Sequence, residues 1–510
     1  MAATTLSQLL NSAQLACLAS CAIGAIIALL ALRGLLDYLR IQRGLSSVPR
    51  APGYNWLLGH VVPLLTCAYK GKGAWDVMEE WIKMRGPIVR YRILNTQGVA
   101  VCDPAALKRV FQTGQKVYNK DLGLSYKPFL PILGSGLVTA DGELWQKQRL
   151  LIGPALRTDI LDDIIPIARN ATERLCKKLA GQRGTGQPVD VEEEFRLLTL
   201  QVIGEAVLSM EPEECDRVFP QLYLPVMEEA NRRVLRPYRM YLPMLPEFWR
   251  FRWRMAELNN FLINYFRQRW TARRKGVVRA RPDILDRVME SLEASGSVWS
   301  SGLETQLCYE IKTFLLAGHE TSAAMLTWSV YEMSQNPAVM EQVRAEGAAV
   351  FGKLAAGQQP PRREVDSMTY TLAVLKEALR KYSVVPVVTR TLAADDELHG
   401  HKLPRGTMVA CILQGTHNLY SEPQQFRPQR FLPGGEYDSW DEADRLFMFV
   451  PFIQGPRNCL GQHMALLEAR VVLGMLAAAF TFTAARPDQG CRHPTVIPIG
   501  PIKGMHMLLS

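Results

Sequence analysis

Four stretches of the chain carry a hydrophobic pattern regular enough to predict an element. Residues 15–32 form an uncharged run of eighteen residues, about the shortest length that spans a bilayer as a helix. Residues 304–337 contain one glycine and no proline before the last position, which predicts a helix long enough to cross a whole domain. Apolar positions three and four apart predict another helix over about 367–382. Partial alternation of apolar and polar residues around the turn-like sequence NTQG predicts a short strand pair within 87–103.

The rest of the pattern is mainly helical from about 104 to 382, and strand-like pieces return near 403–413 and at the C-terminus. The chain is therefore predicted to be mainly α with a minor β-sheet, which is an α+β fold. A break at SSVPRAPG, residues 46–53, separates the apolar run from this body. We predict two parts, an N-terminal signal anchor with a basic linker over 1–43 and one folded domain over 44–510.

The charges that flank the apolar run predict its orientation. Residues 1–14 contain no Lys or Arg, whereas Arg33, Arg40, Arg43 and Arg50 follow the run. The positive-inside rule then leaves the C-terminal bulk in the cytosol. A cleaved signal peptide or a plastid transit peptide carries its positive charge earlier, so a single-pass anchor in the lipid bilayer is the better interpretation.

Composition narrows the class of protein. With 48% hydrophobic and 21% charged residues, the 510-residue chain is typical of a globular protein. The formal net charge of +10 suits an anionic membrane surface or an acidic protein partner. The basic residues are scattered and match no nucleic-acid-binding module, so no nucleic-acid partner is expected. The ten cysteines form no CxxC pair and no zinc-type grouping, which indicates a reduced, cytosol-facing body.

The sequence FIQGPRNCLG, residues 452–461, places one cysteine in a glycine-bearing loop. A helix-forming segment follows Cys459 directly, and the N–H groups and dipole of a helix N-terminus stabilise a thiolate. Gly455 and Gly461 allow a tight turn and the close approach of a flat ligand. Arg457 supplies a cation that can hold a carboxylate. A buried, inert cysteine is the alternative, but this combination suits axial ligation of haem iron.

Residues 449–461 resemble the haem-ligand loop of the cytochrome P450 superfamily, whose pattern is Phe-x-x-Gly-x-Arg-x-Cys-x-Gly. All five fixed positions are present, as Phe452, Gly455, Arg457, Cys459 and Gly461. The resemblance implies haem b bound through the Cys459 thiolate, with dioxygen as co-substrate.

The sequence AGHETS, residues 317–322, resembles the oxygen-activation motif of the same family. A kink at Ala317 and Gly318 is expected to leave room for dioxygen, with Glu320 and Thr321 carrying protons to it. The alternatives are ordinary ones: Glu320 on a solvated helix face, and Thr321 bonded to the carbonyl four residues back.

Glu377 and Arg380, in EALR, lie three residues apart and so on one helix face. The resemblance implies that they join Arg430, in FRPQRF, to lock the core behind the haem. The family usually has Glu before this arginine, and this chain has Gln429 instead.

Further arginines match positions that bind the haem propionates in the family. Trp145 and Arg149 stand in WQKQR, and Arg390 stands in PVVTR. With Arg457 this gives three cations for two carboxylates, a sensible number for charge-assisted hydrogen bonds.

The resemblance implies a haem-thiolate monooxygenase that inserts one oxygen atom of O₂ into a hydrophobic substrate, namely a lipid, terpenoid, sterol or carotenoid. The motifs look most like the branch of fatty-acid and carotenoid hydroxylases. Because the chain has no Rossmann glycine fingerprint, the electrons are expected from a separate NADPH–cytochrome P450 reductase, docked near Cys459 with Lys147 among the candidate contacts. The expected location is the endoplasmic reticulum membrane, with a plastid membrane as the alternative.

Two other functions are compatible with the same motifs. One is an isomerase or dehydratase of this fold that rearranges hydroperoxides without O₂ or a reductase. Such relatives tend to alter the central-helix threonine, which is present here as Thr321. The other is a haem-binding sensor without catalysis, which the proton-relay residues disfavour.

The segment 232–254 carries seven arginines and six aromatic residues against one acid, Glu247. An amphipathic surface loop explains this composition, and so does a segment that enters the membrane interface, where Trp, Tyr and Arg are favoured.

Overall fold

The computed structural model describes residues 2–156, 158–277, 279, 281–354 and 357–510, without the side chains of 2–19, 158 and 159. Helices dominate, in agreement with the predicted α+β class. In chain order the α-helices are α1 Ala2–Gly44, α2 Val61–Thr66, α3 Ala74–Arg85, α4 Pro104–Lys108, α5 Leu130–Leu133, α6 Gly142–Ile152, α7 Thr158–Ala180, α8 Val191–Leu208, α9 Pro212–Val218, α10 Leu224–Leu235, α11 Pro246–Arg274, α12 Ile284–Ala294, α13 Ser301–Gln335, α14 Pro337–Phe351, α15 Arg362–Asp366, α16 Thr369–Tyr382, α17 Leu413–His417, α18 Glu442–Met448 and α19 Gln462–Ala479.

The strands form three small sheets. They are β1 Ile88–Ile93, β2 Thr96–Val101, β3 Tyr118–Lys120, β4 Val189–Asp190, β5 Val387–Leu392, β6 Asp396–Leu398, β7 His401–Leu403, β8 Met408–Ile412, β9 Phe482–Ala484 and β10 His506–Leu509. The largest sheet has the order β1-β2-β8-β5-β3, in which only β2 and β8 run parallel. A second sheet has the order β4-β10-β9, and β6 pairs with β7 alone.

Helix α13 is the long central helix that the apolar pattern predicts. Its N-terminus is capped by the Ser300 hydroxyl, which accepts the N–H of Leu303 at 3.3 Å. It ends before Pro337, which starts α14. Trp328, near its C-terminal end, stacks on Tyr382 of α16 with ring centroids 3.9 Å apart. Most α13 side chains are buried, so the helix runs through the core and is held by packing.

The predicted strand pair is present, but its turn lies earlier than NTQG. Ile93 pairs with Thr96, so Leu94 and Asn95 form the turn, and Leu94 takes a left-handed φ of 53°. Gly98 already belongs to β2 and pairs with Met408 of β8. A Cβ on Gly98 would lie 2.9 Å from the Met408 carbonyl oxygen and from the Tyr91 ring. This glycine therefore serves strand packing instead of a turn.

Helix α1 projects its apolar part away from the domain. Residues Ser20–Ser47 are long and apolar enough to cross a membrane, and the apolar window in them is 0% buried. The end of α1 contacts the domain, where Tyr38 accepts a hydrogen bond from Arg92 at 2.9 Å. The segment 46–53 that follows is fixed beside β1, because Ala51 N–H donates to the Arg90 carbonyl at 2.9 Å. Helix α1 therefore joins the domain through packed residues.

Candidate active site

The cysteine loop ends where α19 begins, as expected. Gly461 precedes the first residue of α19, and Cys459 N–H donates to the Phe452 carbonyl at 2.9 Å. Gly455 has φ 79°, and a Cβ there would lie 2.2 Å from the backbone oxygen of Phe111. The turn and the close approach of the Phe111 backbone therefore both require a glycine at position 455. A Cβ on Gly461 would lie 4.0 Å from the Cys459 sulfur, so this glycine leaves that side of the thiol open.

Two opposing influences act on the Cys459 thiol. Its side chain is exposed to a cleft of about 530 Å³, yet protein atoms surround the loop closely. This desolvation raises the pKa of the Cys459 thiol, and the backbone amides of Gly461 and Gln462 and the Arg149 cation act to lower it. Two backbone donors and a nearby cation already favour the thiolate, so the loop is prepared for it once a metal ion removes the proton. A larger cleft of about 610 Å³, at the C-terminal ends of α13 and α16, contains no predicted site residue.

Three cations gather beside this loop with one carboxylate. Arg457 pairs with Asp141 at 2.7 Å and lies 4.4 Å from the centre of the Trp145 ring. Arg390 is buried on β5, and strand pairing places Lys120 of β3 directly opposite it. Burial lowers the pKa of the Lys120 ammonium, and the positive charges of Arg390 and Arg457 lower it further.

Like charges opposite each other destabilise a strand pair. An anion is therefore needed to stabilise the cluster of Lys120, Arg390 and Arg457. In the described part of the chain, Arg390 Nη2 and Arg457 Nε are buried without a hydrogen-bond partner. A dianionic porphyrin supplies the missing acceptors, and the residues therefore fit a haem. Lys120 was not predicted, because its role depends on the β3–β5 pairing.

Arg149 contacts the cysteine loop, whereas the resemblance places it among the residues that bind the haem propionates. Its guanidinium donates to the Asn458 carbonyl at 2.8 Å and to the Asn458 side-chain oxygen at 2.6 Å. These bonds tie α6 to the cysteine loop. The propionate role of Arg149 stays a prediction, whereas its charge acts on the Cys459 thiol.

Helix α13 is continuous through the AGHETS motif. A Cβ on Gly318 would lie 2.7 Å from Ile203 Cδ1, so this glycine allows α8 to pack closely. A kink at Ala317 and Gly318 stays a prediction. Ala317 is exposed, and Thr321 Oγ1 donates to its carbonyl oxygen at 2.6 Å. The threonine has the geometry of an ordinary helix hydroxyl, next to a residue that faces open space.

Glu320 is not on a solvated face. Its side chain is 13% exposed, and its carboxylate lies 3.7 Å from Arg196 Nη2 of α8. Burial raises the pKa of Glu320, and the Arg196 cation opposes that rise. A carboxyl group with a raised pKa holds its proton more readily near neutral pH, as a proton donor must.

The structure brings Glu377, Arg380 and Arg430 together in the core. Arg380 donates to both carboxylate oxygens of Glu377, at 2.7 and 2.9 Å, and Arg430 Nε donates to the same carboxylate at 3.2 Å. All three residues are at most 2% exposed. Arg430 also pairs with Glu436, so a downstream acid gives it a second carboxylate although Gln429 stands where the family usually has Glu.

Comparison with known proteins agrees with this geometry. The family model described as Cytochrome P450 matches residues 49–502. Protein LUTEIN DEFICIENT 5, chloroplastic, of Arabidopsis thaliana is 30% identical over 444 residues, which cover 83% of this chain and 72% of that protein. The Ultra-long-chain fatty acid omega-hydroxylase of Homo sapiens is 26% identical over 496 residues, covering 91% and 90%. The Carotene epsilon-monooxygenase, chloroplastic, of Arabidopsis thaliana is 27% identical over 492 residues, covering 91% and 86%.

The chain belongs to the cytochrome P450 family. It is an enzyme of the P450 monooxygenase class, which confirms the predicted family and enzyme class.

Proposed function

We propose that this protein is a haem-thiolate monooxygenase that inserts one oxygen atom into a hydrophobic substrate, with electrons from a separate NADPH-dependent reductase. The observation that carries the proposal is the arrangement around Cys459. A thiol just before the start of α19 lies in a loop beside three cations, of which Arg457 pairs with the Asp141 carboxylate. When bound, thiolate-ligated haem supplies dioxygen activation, and the protein supplies position, protons and exclusion of water.

Each residue then has a defined task. Cys459 would ligate the iron, and Arg390 and Arg457 would hold the propionates through the donor atoms that lack partners, with the Lys120 cation beside them. Trp145 packs against the Arg457 guanidinium and keeps it in place. Phe452 accepts the Cys459 N–H through its carbonyl and so fixes the loop.

The substrate we propose is a long-chain lipid or a carotenoid. Both classes occur in the printed names of relatives that align over most of the chain, and sterols and terpenoids are the next candidates. A panel of lipophilic compounds, screened for a substrate-induced shift of the haem absorption band, tests this choice. NADPH and O₂ consumption with a reconstituted reductase then tests the reaction. Turnover of a hydroperoxide without NADPH supports the isomerase, and haem binding without any turnover supports the sensor.

Replacing Thr321 by alanine is expected to uncouple the reaction. The Thr321 hydroxyl stands beside Ala317, and in our account it passes a proton from Glu320 towards dioxygen. Without it, the hydrogen peroxide released per NADPH rises several-fold and hydroxylated product falls, because general acid–base groups of this kind contribute about 10²–10⁴-fold.

The matched control is Thr327→Ala. Thr327 lies on the same helix and donates to the carbonyl four residues back, at 2.8 Å from the Ala323 oxygen. The substitution removes an equivalent hydroxyl outside the AGHETS motif, so the amount of product formed per NADPH stays normal in this variant. Equal coupling in Thr321→Ala and Thr327→Ala would contradict the relay.

We propose that α1 anchors the protein in the endoplasmic reticulum membrane with the domain in the cytosol, and that 232–254 touches the same bilayer. Several apolar side chains of this segment are exposed, namely Tyr238 50%, Tyr241 55%, Met244 79%, Trp249 58% and Trp253 60%. Trp249 and Trp253 are four residues apart on α11 and so share a face. The chloroplastic relatives keep a plastid membrane as the alternative compartment.

A chain that lacks residues 2–32 is expected to remain partly bound to lipid vesicles. This deletion keeps Tyr38 and its contact with Arg92, so the domain is intact. Adding Trp249→Ser and Trp253→Ser should lower the vesicle-bound fraction several-fold in a sedimentation assay, because interfacial binding scales with buried apolar area. Val298→Ser, at an even more exposed position before α13, serves as control. A shortened chain that never sediments with vesicles would refute the second contact.

A further inference from the structure

Two fully buried polar side chains, His319 of α13 and Tyr223, lie against each other. The rings of His319 and Tyr223 make an edge contact with centroids 5.8 Å apart. Within the described residues, neither His319 Nε2 nor the Tyr223 hydroxyl has a hydrogen-bond partner. Buried polar atoms are nearly always paired in folded proteins, with protein or with ordered water.

The two groups are complementary. The other ring nitrogen of His319, Nδ1, lies 3.3 Å from the Leu315 carbonyl, so it carries the proton, and Nε2 is left as an acceptor. Burial lowers the pKa of the His319 imidazole to about 3, which keeps the ring neutral. The Tyr223 hydroxyl can donate as well as accept. One water molecule satisfies both groups, as buried waters commonly do.

Glu320 is the third group at this place. Across the described chain its carboxylate accepts no hydrogen bond, and its one ion-pair partner is Arg196, with Nη2 at 3.7 Å. After burial, the Glu320 charge is the largest influence that raises the pKa of the Tyr223 hydroxyl, which places the two groups near each other. Tyr223 reaches this position from a π-helical turn, Phe219–Tyr223, a local irregularity that often occurs at functional sites.

We propose that Tyr223, His319 and Glu320 enclose a buried water that returns a proton to Glu320 after each transfer through Thr321. This inference rests on the relay proposed above. Glu320 gives one proton towards dioxygen and becomes a carboxylate, and the water passes one proton back. Bulk solvent replaces that proton beside Arg196, whose side chain is 39% exposed. Tyr223 and His319 are positioning residues, since they act by holding the water.

The test replaces Tyr223 by phenylalanine, which removes the hydroxyl and keeps the ring. We expect hydrogen peroxide per NADPH to rise at least twofold and the solvent isotope effect on product formation to increase. The matched control is Tyr91→Phe on β1, which also removes a buried hydroxyl without a described partner. Coupling should be normal in this control.

A second readout does not depend on activity. If a water is bound, Tyr223→Phe takes away one of its partners, so the melting temperature falls. If the pocket is dry, removing an unpaired buried hydroxyl leaves the melting temperature unchanged or raises it. A melting temperature that does not fall, or coupling like that of Tyr91→Phe, overturns the proposal.

Failure of the water site and failure of the relay give different results. If Thr321→Ala uncouples the enzyme and Tyr223→Phe does not, the relay stands and the water site is refuted. If Thr321→Ala leaves coupling normal, the relay fails and the proton-return role fails with it, whatever the melting temperature of Tyr223→Phe.

Discussion

Replacing Cys459 by serine is expected to abolish monooxygenase activity while the fold persists. The Cys459 backbone N–H, which holds the loop against the Phe452 carbonyl, is unchanged by the substitution. The side chain contacts a cleft instead of a packed core, so serine fits without a clash. Serine does not supply the thiolate electron donation on which the chemistry depends. The variant should therefore lose the red-shifted absorption band of the reduced, carbon-monoxide-bound thiolate haem.

The matched control is Cys491→Ser. Cys491 is also free and exposed, and it lies in the C-terminal segment away from the loop. Its absorption spectrum and turnover should equal those of the unaltered protein. A preserved red-shifted band in Cys459→Ser would mean that the iron ligand lies elsewhere.

Replacing Glu377 by alanine is expected to destabilise the fold by about 3–5 kcal/mol, because it leaves the buried Arg380 guanidinium without its carboxylate partner. The carboxylate of Glu377 accepts from both Arg380 and Arg430, and also from the backbone N–H of Arg427 at 2.9 Å. Arg380 and Arg430 are at most 2% exposed, so water does not readily replace the carboxylate at these two donors. The protein should be insoluble, or should purify without haem and unfold at a markedly lower denaturant concentration.

An exposed ion pair provides the comparison. Glu341 lies 2.9 Å from Arg344 on α14, and its side chain is 68% exposed. Glu341→Ala should change the free energy of unfolding by at most about 1 kcal/mol, as is usual for surface pairs. Equal stability of Glu377→Ala and Glu341→Ala, with normal haem content, would show that the buried cluster does not lock the core.

The hydrophobic pattern along the chain predicted the elements that depend on residues close in sequence. The uninterrupted apolar sequence of α13 and the spacing of α16 identify both helices to within a few residues. The position of the turn was predicted wrongly because sheet pairing holds Leu94 in the left-handed backbone conformation. Leucine rarely adopts this conformation, so the residue type gives no sign of it.

The candidate site was likewise predictable only where its residues are close in sequence. The cysteine loop is recognisable because its residues are contiguous, whereas Lys120 and Glu436 act through partners distant in sequence. Lys120 becomes part of the site when β3 pairs with β5 opposite Arg390. Glu436 becomes the second partner of Arg430 when the segment after that arginine folds back on it. Gly455 also accommodates Phe111, and Gly318 accommodates Ile203, which only packing reveals.

The central claim is tested most directly by the origin of the oxygen atom in the product. The full-length protein is combined with haem, an NADPH-dependent reductase, a lipophilic substrate from the spectral screen and isotopically labelled dioxygen, and the product is weighed by mass spectrometry. We predict one labelled oxygen atom per product molecule, dependent on NADPH and absent with Cys459→Ser. Product that carries no label, or labelled product that persists in Cys459→Ser, would contradict a monooxygenase that uses the Cys459 thiolate.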